Sequence, residues 1–210
     1  MGKLFQRLSV ACALSLSVIA FAQEPQAEIK LRNTHYYVAL ERDYTLEPKD
    51  VEILDVKGNL IANVSDHFKR AVDIEGTGRL LDGRIINYAA RIGSEIRYTI
   101  TNAPFGLGVR NCRLVPFRTV AIDPTVVPLG SLIMIRETIG MVLPNGEYHD
   151  GLWRAEDVGG AIKKDRIDLF VGDGNQGAVL RRAGITSLMP LTIEIVELPD
   201  DDSCVHPRRR

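Results

Sequence analysis

The stretch "RAEDVGGAIKKDRIDLFVG" (residues 154–172) decides how this chain is read. It places Asp157 and Asp168 in runs that otherwise have the composition of buried strands; Asp168 stands between Ile167 and Leu169, with Phe170 and Val171 following. A desolvated carboxylate is costly unless it is paired or kept protonated, so acids there call for a chemical reason. Side chains alternate across a strand, which assigns faces. In "RIDLFV" (166–171), Asp168 and Phe170 share a face opposite Ile167, Leu169 and Val171. In "LWRAED" (152–157), Trp153, Ala155 and Asp157 share a face. In "TVAID" (119–123), Val120 and Ile122 lie opposite Thr119, Ala121 and Asp123.

Three strands thus each carry one aspartate. Asp123 precedes Pro124, and Asp157 precedes Val158-Gly159-Gly160. Strand ends beside glycine turns are places where backbone can approach a ligand closely. They are also places where aspartates cap turns, and spacing alone leaves both uses open. Where two carboxylates crowd together, one pKa rises, and an acid protonated near neutral pH can protonate a leaving oxygen. Cleavage of a bond between sugars needs that step. Trp153, Tyr98 and Phe170 are candidate flat faces for pyranose rings, and Lys163 a candidate partner for an aspartate or a sugar carboxylate.

Outward from this segment the chain keeps one texture. "YYVAL" (36–40), "VEILDV" (51–56), "RIINYAAR" (84–91), "EIRYTIT" (95–101), "SLIMI" (131–135) and "LTIEIVEL" (191–198) read as further strands separated by Gly, Pro and Asn. "NQGAVLRRAG" (175–184) is the convincing helix, with Asn175 or Asp173 as cap and Gly184 as stop. "SDHFKRAV" (65–72) fits one or two helical turns capped by Ser65 or Asp66. Many short strands and one helix predict a mainly β domain, a closed barrel or sandwich. The 210 residues, 45% hydrophobic and 25% charged, suffice for one such domain. A formal net charge of −1 gives no reason to expect nucleic acid.

"AIDPTVVPLGSLIMI" (121–135) with "AEDVGGAIKKDRIDLFVG" (155–172) resembles the three-aspartate (3D) domain family and the C-terminal catalytic part of membrane-bound lytic transglycosylase A. The shared pattern is Asp-Pro, Pro-Leu-Gly, an Asp-x-Gly-Gly-Ala-Ile-Lys run, and Ile-Asp. The resemblance covers residues 76 to 197. It implies a double-psi β-barrel, to which the pattern above adds one short helix and a small N-terminal extension, and it implies a peptidoglycan glycan strand as partner. It implies cleavage of the β-1,4 bond between N-acetylmuramic acid and N-acetylglucosamine to a 1,6-anhydro sugar, without a cofactor. Carried over, Asp168 is the acid/base, Asp157 tunes or orients it, and Asp123 completes the trio as a structural or binding acid. Gly159 and Gly160 let the groove backbone meet the glycan. Three departures stand: the family pattern has Gly where this chain has Lys164, the segment from Glu137 to Gly151 is longer than in minimal three-aspartate domains, and "NAPFGLGVRNCRLVPF" (102–117) replaces a Thr-Gly-x-Thr type stretch. A β-1,4-glycan hydrolase, with a second carboxylate at work, and a non-catalytic wall-binding module are the alternatives.

Lys3 and Arg7 before an apolar run from Leu8 to Ala22, with Ala20-Phe21-Ala22 at its end, read as a secretory signal over residues 1–22. The run is shorter than the roughly 20 residues of a membrane span. Val10-Ala11-Cys12 also loosely resembles a lipoprotein cleavage site, but the apolar run continues past it. Removing the signal takes two cations and no acid, so the formal charge goes from −1 to −3. It leaves Cys112 and Cys204, either a disulfide tying the C-terminal tail to the body or two free thiols. The exported protein would reside in a periplasm, on an outer surface, or outside the cell. Residues 23–75 read as an extension, its first part to about Asn33 a polar leader; 76–198 as the barrel; 199–210 as a tail. His35, His67, His149 and His206 form no set at metal spacing.

Overall fold

The computed structural model describes residues 28–206. The expected signal sequence with Cys12, and the last four residues, lie outside that span. The strands are β1 (Ile29–Leu40), β2 (Val51–Leu54), β3 (Leu60–Val64), β4 (Thr77–Arg79), β5 (Ile85–Ile92), β6 (Glu95–Thr101), β7 (Thr119–Ala121), β8 (Leu132–Ile135), β9 (Leu152–Asp157), β10 (Arg166–Asp173) and β11 (Pro190–Glu197). The helices are α1 (Asp66–Glu75) and α2 (Gly177–Arg182). Among the described residues no helix is long and apolar enough to cross a membrane.

Six strands close a barrel in the order β1-β10-β7-β9-β8-β11, with β11 returning to β1. Two pairs, β1 with β10 and β7 with β9, are parallel; the others are antiparallel. This is a closed barrel of mixed pairing, the strand number and pairing type of the double-psi class. The alternating apolar residues of the sequence fill it: Val120 and Ile122, Ile133 and Ile135, Trp153 and Ala155, Ile167, Leu169 and Val171, Leu191 and Ile193 form one buried cluster. Burial of each large aliphatic side chain is worth about 1.5–3 kcal/mol, so this cluster is the main source of the barrel's stability.

The remaining strands form a wing. The end of β1 pairs with β4 through Ala39↔Gly78 and Leu40↔Arg79, and β4, β5 and β6 continue as an antiparallel sheet. The β2–β3 hairpin and α1 pack on it around Ile53, Val64, Phe68, Val72, Ile86 and Tyr98. Helix α1 starts where its sequence signals it: Ser65 Oγ accepts the Phe68 N–H (3.2 Å), and Gly76 ends it with φ 81°. A third apolar layer, Tyr36, Val38, Leu40, Leu114, Ala121, Ile162 and Phe170, joins wing to barrel.

Several expectations are corrected here. Residues 29–40, read as leader and extension, supply a full barrel strand. Conversely, β5 and β6, assigned to the barrel by position, belong to the wing. Among the described residues, the one or two turns expected over 65–72 extend to a full helix, α1, beside the expected α2. Of the two alternatives for the cysteines the disulfide holds: Cys204 is bonded to Cys112, so the tail is tied to the body, Val205 is buried, and Arg110 Nη1 donates to its carbonyl (2.7 Å).

Candidate active site

A cleft of about 630 Å³ runs between barrel and wing. Ala121, Asp157 to Gly160, Lys163 and Asp168 line its barrel side; Glu75 to Thr77, Asn87 and Tyr88 line its wing side; Leu107 to Val109 close one end.

Ala121 organises the barrel side. It pairs with Asp168 on β10 and with Asp157 on β9. The two acids therefore flank one small residue, two strand spacings or about 10 Å apart at their Cα atoms. Asp157 reaches this position through a bulge: Val120 pairs with Ala155, but Ala121 pairs with Asp157, and Glu156 is left out of register. Strict alternation puts Asp157 on the interior face with Trp153 and Ala155. The bulge re-aims it into the cleft.

Burial pushes the Asp157 carboxyl up to about 6, against the pull of two hydrogen bonds and with a further push from the Asp168 charge. Tyr36 Oη donates to its Oδ2 and the Val158 N–H to its Oδ1, each at 2.8 Å. Asp168 is also raised by burial, opposed chiefly by a hydrogen bond with Thr34, its register partner on β1. Its Oδ1 is buried without a hydrogen-bond partner. A carboxyl so placed favours its neutral form, and the residue as a whole is half-buried where it lines the cleft.

Asp123 stands apart from this pair. Its Oδ1 accepts the Thr125 N–H (3.0 Å) and hydroxyl (2.8 Å), and its Oδ2 accepts the Lys164 N–H (2.8 Å). Those bonds, the Lys164 amide first, hold it at about 2, an ionised acid fastening two turns together. The Lys164 backbone has φ 54°, the left-handed region. That conformation is free for glycine and costs other residues about 1 kcal/mol, which explains the glycine of the family pattern.

All three expected sugar platforms are corrected. Trp153 is wholly buried, donates Nε1–H to Thr138 Oγ1 (3.0 Å) and stacks on His149. Phe170 is wholly buried beneath the cleft, 5.0 Å from the Tyr36 ring. Large aromatic surfaces went to the core, where they stabilise most. Tyr98 is likewise buried, its hydroxyl on Asp73. The exposed aromatic lining the cleft is Tyr88 on β5. Gly159 and Gly160 line the cleft; a Cβ on Gly159 would meet Ile162 at 2.7 Å, whereas Gly160 faces open space. Lys163 lines the cleft and is exposed.

Sequence reasoning missed the wing's contribution. Glu75, the last residue of α1, reaches the cleft with Oε2 accepting the Tyr37 N–H (3.0 Å). Burial raises it to about 7, with a further push from Asp168. It also sits at a helix C-terminus, where negative charge is disfavoured. No local signal marks Glu75; only tertiary packing brings it there. Gly108 was also passed over. A Cβ there would lie 2.5 Å from the Glu156 carbonyl and 3.2 Å from Asp157 Cβ, so the end wall touches the bulge directly.

No curated protein sequence matches the chain. Among solved structures, E. coli MltA with bound chitohexaose superposes with a TM-score of 0.56 at 16% identity, covering 79% of this chain and 72% of that one. A membrane-bound lytic murein transglycosylase from Agrobacterium tumefaciens gives 0.49 at 20% identity, covering 67% and 53%. LtgG of Burkholderia pseudomallei gives 0.44 at 20%, covering 80% and 71%. The first shows a shared fold. Residues 118–188, which hold Asp123, Asp157 and Asp168, match the family model of the 3D domain, and the barrel and wing around them have the fold of MltA.

Proposed function

We propose that the chain is a peptidoglycan lytic transglycosylase, cleaving the β-1,4 bond between N-acetylmuramic acid and N-acetylglucosamine. The observation that carries this is Asp168: a largely buried carboxyl, raised by desolvation, with one oxygen unpartnered, in the lining of a cleft of about 630 Å³. The fold shared with an MltA that holds chitohexaose supports a glycan in that cleft.

Protonated Asp168 donates to the leaving glycosidic oxygen as the bond to the anomeric carbon breaks. The muramyl 6-hydroxyl attacks that carbon and closes a 1,6-anhydro ring, and the hydroxyl proton passes to a carboxylate in the cleft. Asp157, held by Tyr36 and Val158, is a charge whose own titration holds the Asp168 proton. Asp123 acts on structure, not on substrate. Gly160 leaves room for backbone to meet sugar, and Lys163 and Tyr88 are the polar and aromatic contacts at the rim.

Mass spectrometry of digested sacculi tests the reading. Anhydro ends are expected with the parent protein and a loss of at least about 10³-fold with Asp168→Asn, the scale of removing an essential proton donor. Reducing ends would indicate hydrolysis, and intact sacculi with retained binding would indicate a wall-binding module.

A further inference from the structure

The loop that closes one end of the cleft is held from outside. Residues 106–114 fold on themselves: Leu114 N–H donates to the Gly106 carbonyl (3.2 Å), Gly108 N–H to the Cys112 carbonyl (2.8 Å) and Cys112 N–H to the Val109 carbonyl (2.9 Å). At the tip, Arg110 and Asn111 hold φ 50° and 66°, two successive non-glycine residues in the left-handed region. Residues with a Cβ keep that conformation only where their surroundings enforce it. On the wing side, Asn87 Oδ1 accepts the Leu107 N–H (2.7 Å) and its Nδ2 donates to the Leu107 carbonyl (3.1 Å). On the other side, Cys112 is bonded to Cys204, and Arg110 Nη1 donates to the Val205 carbonyl (2.7 Å).

The tail that carries Cys204 is seated in turn on the barrel. A Cβ on Gly130 would lie 2.6 Å from Val205 Cγ2, 2.7 Å from Ser203 Oγ and 2.9 Å from Pro199 Cβ, so the tail lies directly against that turn. The Gly130 N–H donates to the Ala155 carbonyl of β9 (2.7 Å). One residue further along β9, the end wall meets the Glu156 carbonyl through Gly108. The bulge that aims Asp157 is thus bracketed, by the tail's seat before it and by the end wall upon it. The Cys112–Cys204 bond joins the two brackets. Both cysteines lie outside residues 118–188, so this arrangement is additional to the 3D domain.

We propose that the Cys112–Cys204 disulfide positions the Asp157 bulge through the end wall, and that its reduction by a dithiol lowers glycan cleavage. The inference rests on the transglycosylase reading above. Cys204 is exposed and Cys112 is buried, so an attacking thiolate reaches the Cys204 sulfur. That attack breaks the protein S–S bond, forms a mixed disulfide on Cys204 and releases Cys112 as a thiolate, which takes up a proton. The reductant's second thiol then closes on its own sulfur and frees the Cys204 thiol. Two electrons and two protons pass to the protein, and the dithiol leaves as a cyclic disulfide. The barrel's apolar cluster contains neither cysteine, so the change falls on the end wall and the tail.

Cleavage of soluble peptidoglycan glycan strands, read as anhydro ends, is measured for the oxidised protein, after dithiothreitol, and after reoxidation. Trp153 fluorescence reports the folded barrel at the assay temperature. The expected result on reduction is a kcat lower by about tenfold or more and a KM changed by less than about twofold, both reversed by reoxidation. Amide hydrogen exchange should quicken at residues 106–112 and stay slow in β10. Arg110→Ala loosens the same wall with the disulfide intact, and should give a smaller loss of kcat even where the reduced barrel unfolds. A folded reduced protein with the parent's kcat, a loss carried by KM alone, or a folded Arg110→Ala protein with the parent's kcat overturns the proposal. An oxidised parent that releases no anhydro ends overturns the underlying reading. Unchanged exchange at the end wall on reduction overturns this proposal whatever the activity.

Discussion

Removing the charge of Glu75 should stabilise the protein in a pH-dependent way. The carboxyl goes from an ordinary value of 4.5 in the unfolded chain to about 7 in the folded one, chiefly through burial. A folded-state value above the unfolded one means that the native protein binds the proton more tightly. The contribution is full below about pH 4.5 and is lost as pH rises through about 7. At about 1.36 kcal/mol per pH unit, a window of about 2.5 units corresponds to about 3 kcal/mol, and partial solvent access reduces this to about 2–3 kcal/mol at pH 8. Gln at position 75 is neutral throughout and accepts the same Tyr37 amide, so it escapes the cost. The assay is urea unfolding at pH 4.5, 6 and 8, followed by the fluorescence of Trp153, the chain's single tryptophan, which is wholly buried. The variant should match the parent at pH 4.5 and exceed it by about 2–3 kcal/mol at pH 8, with unchanged m-value. Equal differences at all three pH values would show that Glu75 is not desolvated in the folded state, and the reasoning would fail.

Other outcomes follow from the same geometry. Replacing Cys112 and Cys204 by serine should lower stability by about 2–4 kcal/mol, because the bond closes a loop with a sequence separation of 92; unfolding of the oxidised and double-serine proteins compares them. A Gly108→Ala change drives a methyl group against the Glu156 carbonyl and Asp157. It should displace the bulge and reduce glycan cleavage by about tenfold or more, while costing about 1–3 kcal/mol of stability. Lys164→Gly relieves a left-handed backbone at φ 54° and should raise stability by up to about 1 kcal/mol without altering cleavage, read by thermal unfolding and sacculus digestion.

The strands were legible where local rules suffice. "EIRYTIT" and "RIDLFV" lie within the observed β6 and β10, because alternation and flanking turn residues report a half-buried strand directly. The first half of β1 was illegible for a physical reason. Lys30 and Arg32 give it the look of a polar leader, yet Lys30 Nζ donates to Thr192 and Arg32 Nε to Asp165 Oδ2 (2.6 Å), partners more than a hundred residues away. Leu31 and Asn33, between and after them, are buried. Asp157 shares a face with Trp153 and Ala155 by alternation alone, because a bulge leaves no mark in a period-two pattern. Trp153 and Phe170 show the limit of composition: an aromatic near a cleft reads the same whether it stacks on sugar or fills a core. Glu75 needed the helix-to-barrel packing itself.

Strand β1 has one further consequence. Within four consecutive residues, Thr34 meets Asp168, the Tyr36 hydroxyl meets Asp157, and the Tyr37 amide meets Glu75. Its neighbours are β11 on residues 29–32, β10 on residues 32–38 and β4 on residues 39 and 40, so both jaws hang from a single unbroken spine. The gap between the jaws is then metered by chain length, like the fixed gauge of a calliper. A relative carrying one extra residue between positions 34 and 37 would flip the side chains beyond it and change the bite by a strand's rise, about 3.3 Å. Such a chain would grip a different bond, even with every aspartate in place.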